Sequence, residues 1–328
     1  MTQNAMTEGW GDAQPLDVHE NGVVQWFSEA STAAEAPPQP KLQGSAIAGV
    51  FAGVEIVWFL GETFMVMVLA IAVRSLLLFG VSIMLSHELL HAKSTVFDVL
   101  FDASFLLVWL LQRYSYYFHL KPLELCRIWG IVSWRRLEVS TSLLILYHVV
   151  GFCGIIVWQW YEDNWFLSLD NYMDEDDELQ VPRILEILFL SPLKEEFIFR
   201  GIIFHIFLNR IPSNRSASLV SSILFGCTHL INLKNSNFSI MYVLLQTCLG
   251  IEIGFYYSIL FFQSKFNLLN SLVLHIVNNI FSSFVSTHTA ALDFLARPIF
   301  TLMLAHAIVL YIVLISLAIR SKKKPKVE

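Results

Sequence analysis

Two adjacent glutamates in an apolar stretch are the first residues of this sequence that could do chemistry. They lie in the segment SPLKEEFIFRG, residues 191–201. Glu196 and Arg200 are spaced i, i+4, so on a helix they can pair along one face, whereas Glu195 lies about 100° around the helix axis. Pro192 removes a backbone N–H and loosens the helix one turn before the acids. Glu195 is therefore a candidate general base, although two carboxylates neutralised by a lysine and an arginine for packing would give the same pattern.

Two later apolar segments carry further side chains of catalytic type. FGCTH ends at His229, and HIVNN runs from His275 to Asn279. His275 and Asn279 are also spaced i, i+4, so a helix would point both into one space. A carboxylate base, two imidazoles and an amide are sufficient for hydrolysis of an amide by water, because the base deprotonates water and the N–H donors hold the developing oxyanion. Three such segments in succession favour a catalytic site over three separate packing residues.

The sequence also contains a competing motif, HELLH, at residues 87–91. It matches the zincin pattern, in which His87 and His91 would bind zinc and Glu88 would act as the base. No convincing third ligand lies near it, although Glu195 or Glu252 could be argued. A zinc protease that uses this motif is kept as an alternative, and the main interpretation assigns no metal and no cofactor.

The composition indicates a membrane protein. The chain has 328 residues, of which 55% are hydrophobic and only 15% are charged, and its mean hydropathy is +0.59. A soluble domain usually has about 25% charged residues. The net charge of −6 argues against nucleic acid as a partner, since that needs a concentrated basic surface. The four cysteines form no CxxC pair, so neither a zinc knuckle nor a disulfide framework is indicated.

The fold class predicted from hydropathy is all-α, a polytopic membrane bundle of about eight transmembrane helices. Only Gly61 and Glu62 separate the first two apolar segments, so these two are doubtful as separate spans. Basic residues place the loop 113–140 in the cytoplasm, and the acidic stretch 162–178 belongs on the opposite side. The apolar segments lie at 44–61, 63–85, 97–112, 141–160, 183–209, 217–233, 238–262, 267–286 and 298–319.

Four regions follow from these patterns. Residues 1–42 form a polar tail that we expect to be disordered, because its first forty residues contain no Lys or Arg and it ends in a proline-rich stretch. Residues 43–180 form an N-terminal transmembrane region and residues 181–290 a catalytic core. Residues 291–328 hold the last transmembrane helix and a basic tail, whose lysines resemble a retrieval signal for the endoplasmic reticulum in a eukaryote.

The three motifs together, Glu-Glu-x-x-x-Arg, Phe-x-x-x-His and His-x-x-x-Asn, resemble the CAAX protease and bacteriocin-processing family. This family includes the type II CAAX prenyl endopeptidases. The resemblance covers roughly residues 183–286 and all three motifs occur in order on separate apolar segments. It implies a multi-helix membrane protein with a water-filled catalytic chamber, which works as a glutamate-dependent protease without an essential metal.

The resemblance also implies a role for each motif residue. Glu195 would activate water with help from His229, and His275 and Asn279 would bind the oxyanion. Glu196 and Arg200 would support the architecture. The activity expected is removal of the C-terminal tripeptide from prenylated CAAX proteins, so the partners are membrane lipid and a prenylated protein or peptide. A catalytically silent membrane scaffold of the same fold is a further alternative, against which the complete motif set argues.

Overall fold

The computed structural model describes residues 46–84, 87–117, 120–131, 137–162, 167, 169–174, 178–211, 213–234, 238–284 and 298–320. These ranges are almost entirely helical and contain no β-strand, only isolated β-bridges such as that between Met173 and Leu179. The all-α prediction is therefore confirmed. The helices are α1 (Ala46–Met84), α2 (His87–Tyr117), α3 (Pro122–Ile128), α4 (Val139–Glu162), α5 (the helical run 181–210), α6 (Asn214–Thr228), α7 (Ile240–Gln263), α8 (Leu268–Ser283) and α9 (Pro298–Arg320).

The first two apolar segments form one helix. α1 continues without a break from Ala46 to Met84 and contains Gly61 and Glu62 in its interior. Glu62 accepts hydrogen bonds from Trp58 on the same helix, at 2.5 Å, and from Arg113 on α2, at 2.9 Å. Because its charge is paired, Glu62 does not interrupt the apolar run.

Four described helices are long and apolar enough to cross a membrane. They occupy Val50–Gly80, Val139–Tyr161, Asn214–Lys234 and Ile240–Gln263, and shorter apolar helices cover Leu268–Ser283 and Leu304–Arg320. Many large apolar side chains on the outer faces of these helices are exposed. Contact of these side chains with water would be unfavourable, whereas contact with lipid is not. The total of about eight spans stays a prediction.

α5 carries the two adjacent glutamates and is not a regular α-helix. Two π-helical turns, Glu186–Leu190 and Phe197–Ile203, alternate with the α-helical pieces Val181–Leu185, Ser191–Glu196 and Phe204–Arg210. Single π-helical turns inside α-helices occur frequently at functional sites, because each widens the helix locally and changes the direction of the side chains. The piece that carries both glutamates is thus held between two such turns.

The second half of α5 lies in the main hydrophobic core. Phe197, Phe199, Ile202, Ile203 and Phe204 are all buried there. Sequence analysis assigned residues 113–140 to a loop. In the structure this region contains α3 and places the ring of Trp129 against α5. A Cβ added to Gly201 would come within 2.9 Å of that ring.

Glycines let α6 and α7 approach one another closely. A Cβ added to Gly226 on α6 would lie 2.6 Å from the carbonyl oxygen of Thr247 and 2.8 Å from the backbone nitrogen of Ile251. Gly250 and Gly254 on α7 form the small-xxx-small spacing that membrane helices use for close contact. These two helices make the most extensive contact of any pair in the described chain.

Candidate active site

Both glutamates of α5 face one imidazole. His275 Nδ1 lies 2.8 Å from Glu196 Oε1, and His275 Nε2 lies 3.5 Å from Glu195 Oε2. The imidazole of α8 therefore lies between two carboxylates of α5. The hydroxyl of Ser191 donates to Glu195 Oε1 at 2.7 Å, which leaves Oε2 facing the imidazole. Glu196 is fully buried, whereas the Glu195 side chain is 27% exposed and so within reach of water.

Arg200 neutralises the buried member of this pair. Its Nη1 lies 3.1 Å from Glu196 Oε1, and both side chains are fully buried. The guanidinium also lies over the ring of Phe225, 4.4 Å from the ring centroid, and within 5.5 Å of the Tyr257 centroid. Aromatic faces attract a desolvated cation, so the two rings further stabilise the buried charge.

His229 approaches the same cluster from the end of α6. It begins the 3₁₀ turn His229–Lys234, and its ring contacts the edge of Phe225, with centroids 5.4 Å apart. Phe225 also contacts His275, with ring centroids 5.7 Å apart, so one phenyl ring contacts both imidazoles. His229 lies within electrostatic range of Glu195 and His275. A Cβ on Gly250 would lie 3.0 Å from its ring, so that glycine makes room for the imidazole.

Asn279 contacts the backbone of α5. Its Nδ2 donates to the carbonyl oxygen of Ile187 at 2.9 Å. In the preceding π-helical turn the N–H of Ser191 bonds the carbonyl of Glu186, five residues earlier. In that register residue 192 would serve the Ile187 carbonyl, but Pro192 has no N–H. Asn279 supplies the missing donor and thereby joins α8 to α5 about two turns before the two acids.

Replacing Pro192 by alanine should restore a backbone N–H that competes with Asn279 for the Ile187 carbonyl. We expect a thermal stability equal to or above that of the wild type, because proline in a helix interior is unfavourable by about 3 kcal/mol. We expect lower hydrolytic activity, because Asn279 loses its anchor. Thermal unfolding and an activity assay on the same sample check both effects. Lower stability together with full activity would contradict the assigned role of Pro192.

The HELLH motif forms the start of α2. The structure does not describe the side chains of His87, Glu88 and His91. The zinc alternative therefore stays a hypothesis. Among the side chains that the structure does describe, no group of three or more His, Cys, Asp or Glu residues could hold a metal ion.

A comparison with known protein families found a match that covers the part of the chain that forms this site. The sequence model of the Rce1-like family, described as type II CAAX prenyl endopeptidase, matches residues 177–281. This segment of the chain is Rce1-like. The resemblance inferred from the three motifs is thereby confirmed for that segment, which spans all six motif residues. No significant match to a curated protein or to a solved structure was found.

The four long apolar helices indicate an integral membrane protein, and its residues 177–281 are similar to the type II CAAX prenyl endopeptidase family. Sequence analysis missed several residues that shape the site of the Rce1-like segment. Ser191 was quoted in the motif segment without a role, and its spacing of four from Glu195 could have indicated the hydrogen bond. No local signal indicated Tyr257, because its contact with the site depends on how α7 packs.

Proposed function

We propose that the protein is a metal-independent, glutamate-type membrane endopeptidase that removes the C-terminal tripeptide of prenylated CAAX proteins. The observation that carries the proposal is the imidazole of His275 between the carboxylates of Glu195 and Glu196, in the segment that matches the Rce1-like family. A buried imidazole between two acids, with an arginine on one of them, gives a preorganised set of proton acceptors and donors.

Hydrolysis begins at Glu195. Its Oε1 is held by Ser191, so Oε2 is the oxygen that takes a proton from water. The hydroxide oxygen then adds to the carbonyl carbon of the scissile peptide bond, and the carbonyl oxygen becomes an oxyanion. When the tetrahedral intermediate collapses, the C–N bond breaks and the Glu195 carboxylic acid returns its proton to the leaving nitrogen. We assign to His229, which lies within electrostatic range of Glu195, the role of orienting the water.

The oxyanion needs N–H donors, and α8 offers two. Nε2 of His275 faces Glu195 and is one of the two ring nitrogens that can carry a hydrogen. Asn279 uses one N–H of its amide for the Ile187 carbonyl, and its second N–H is available for the oxyanion. Glu196 holds the imidazole and Arg200 balances the charge of Glu196, which agrees with a supporting role for both.

The proposed substrate suits a site among membrane helices. A prenyl chain is a hydrocarbon that partitions into the bilayer and brings the adjacent peptide to the membrane surface. Glu195 is partly exposed, so a peptide can reach it from a water-filled chamber. We place this chamber toward the cytoplasmic half of the bundle of about eight spans, and in a eukaryote we place the protein in the endoplasmic reticulum.

Release of the C-terminal tripeptide from a farnesylated CAAX peptide tests the proposal, with membranes that contain wild type, Glu195→Ala or His229→Ala. We expect release by the wild type and none by either variant, because the base or its water-orienting partner is missing. Glu124→Gln is a matched control, since this exposed glutamate caps α3 and glutamine can fill the same capping role.

Full activity of Glu195→Ala and His229→Ala on a confirmed substrate would reject the proposed mechanism. Loss of activity in His87→Ala, together with inhibition by a chelator, would favour the zinc alternative. Absence of release by the wild type would remove the prenylated substrate, and preserved cellular function in Glu195→Gln would favour the silent scaffold.

A further inference from the structure

Asn278, the neighbour of the motif residue Asn279, is at the centre of a second polar cluster. Its Nδ2 donates to the hydroxyl of Tyr257 at 2.5 Å and to the hydroxyl of Tyr311 at 3.1 Å. The Tyr311 hydroxyl lies 3.3 Å from Nε2 of His148. We name Asn278, Tyr257, Tyr311 and His148 the Asn278 hub, and through them α8 is bonded to α7, α9 and α4.

The Asn278 hub lies among apolar helices, where polar groups have few other partners. Tyr257 and Tyr311 are each 1% exposed. Hydrogen bonds are electrostatically stronger in such surroundings, and an unmet donor or acceptor there is costly. Any rotation or sliding of α8 that separates Asn278 from the two hydroxyls is therefore opposed.

The hub adjoins the candidate active site through Tyr257. The centroid of the Tyr257 ring lies 6.1 Å from the centroid of the His275 ring. It lies 5.5 Å from the guanidinium carbon of Arg200. Asn278 follows His275 by three residues, so the two side chains leave α8 about 60° apart. A contact that fixes the direction of Asn278 also fixes the direction of the imidazole.

The orientation of α8 about its axis must be accurate if His275 is to keep its hydrogen bond to Glu196. Side chains end about 5–6 Å from a helix axis, so a rotation of α8 by about 20° would move the imidazole by about 2 Å. The hydrogen bond of 2.8 Å between His275 and Glu196 would not survive that movement. The hydrogen bond from Asn279 to Ile187 fixes the same helix at a position about 40° around the axis from His275.

We propose that Asn278 is a positioning residue, which holds His275 against Glu196 through its hydrogen bonds to Tyr257 and Tyr311. The effect on His275 follows from the packing alone, and only its consequence for catalysis rests on the proposed function. A purely structural role would also lower stability on mutation, but it would leave the hydrogen bond of His275 unchanged in the folded protein.

Nuclear magnetic resonance of the histidine ring tests the positioning role without an activity assay. The protein is labelled with [¹⁵N]histidine in lipid nanodiscs, and the His275 signals are identified by their loss in His275→Gln. We expect Asn278→Leu to shift the Nδ1 resonance of His275 toward that of a ring without the carboxylate partner. Tyr311→Phe, which removes one hydroxyl and keeps the volume, should shift it in the same direction by a smaller amount.

Asn270→Leu is the matched control. Asn270 is also on α8, and its side-chain oxygen accepts hydrogen bonds from Thr141 Oγ1 at 2.9 Å and from the backbone of Glu138 at 2.8 Å. It ties the start of α8 to α4 without a bond to the Asn278 hub. We expect Asn270→Leu to leave the His275 resonance in place. An unchanged His275 resonance in both Asn278→Leu and Tyr311→Phe would overturn the proposal. If Asn278→Leu does not fold, an unchanged resonance in Tyr311→Phe alone overturns it.

Kinetics give the consequence for hydrolysis. We expect kcat of Asn278→Leu to fall about 10- to 100-fold with an unchanged KM, because a misplacement of about 1 Å in a catalytic group can cost 100-fold in rate. An unchanged kcat beside a shifted His275 resonance would contradict a catalytic role for His275 and leave the positioning intact. If the wild type cleaves nothing, the proposed function fails, and the resonance measurement still decides the positioning role.

Discussion

Replacement of Arg200 by methionine is expected to lower the stability of the folded protein strongly. Arg200 and Glu196 are fully buried and lie 3.1 Å apart, so the variant leaves a buried carboxylate without its cation. Removal of one partner of a buried ion pair costs about 3–5 kcal/mol, out of a total stability of about 5–15 kcal/mol for a typical domain. Methionine fills a similar volume, which separates the loss of charge from the loss of packing. Thermal unfolding in detergent, followed by size-exclusion chromatography, measures the effect.

The double variant Glu196→Gln/Arg200→Met is the control for this prediction. It removes both charges, so the desolvation cost of an isolated ion disappears and we expect much of the lost stability to return. We do not expect activity to return, because His275 has lost the carboxylate that holds its Nδ1. A single Arg200→Met variant as stable as the wild type would show that the buried charge of Glu196 is compensated elsewhere.

Local spacing was sufficient to predict some features of the site. The interval between Glu196 and Arg200 predicted a pair along one helix face, and the structure has that pair. The loosening of the helix expected from Pro192 coincides with the π-helical turn Glu186–Leu190 just before it. Helix geometry places Asn278 about 100° around the axis from Asn279, and its side chain contacts Tyr257 and Tyr311 instead of the motif residues.

Other features depend on packing between distant segments and left no local signal. Glu196 and His275 are 79 residues apart, so no sequence interval could show that they share a hydrogen bond. The donor that replaces the missing N–H of Pro192 comes from Asn279, which the motif pattern associates with the oxyanion instead. The roles of the six motif residues stay predictions, because a fixed geometry does not by itself demonstrate catalysis.

Replacement of Gly226 by alanine should force α6 and α7 apart. The new Cβ would lie 2.4 Å from Cγ1 of Ile251, 2.6 Å from the carbonyl oxygen of Thr247 and 2.8 Å from the nitrogen of Ile251. The Ile251 side chain can rotate away, but the two backbone atoms move only if the helix moves. Overpacking of this kind costs about 1–3 kcal/mol and occasionally more. His229 lies three residues further on, so we expect tripeptide release to fall at least about tenfold, by misplacement of that imidazole.

Gly154→Ala on α4 is the matched control for this substitution. A Cβ at Gly154 would meet nothing within 4 Å, so the same chemical change occurs there without a clash. Alanine is the better helix former by about 1 kcal/mol, and Gly154→Ala should equal or exceed the wild type in thermal stability. Both glycines lie inside helices, so the difference in stability and activity between the two variants measures the effect of the close contact between α6 and α7. Equal stability and equal activity of the two variants would mean that α6 and α7 can separate without moving His229, and the close contact at Gly226 would then have no part in holding the site together.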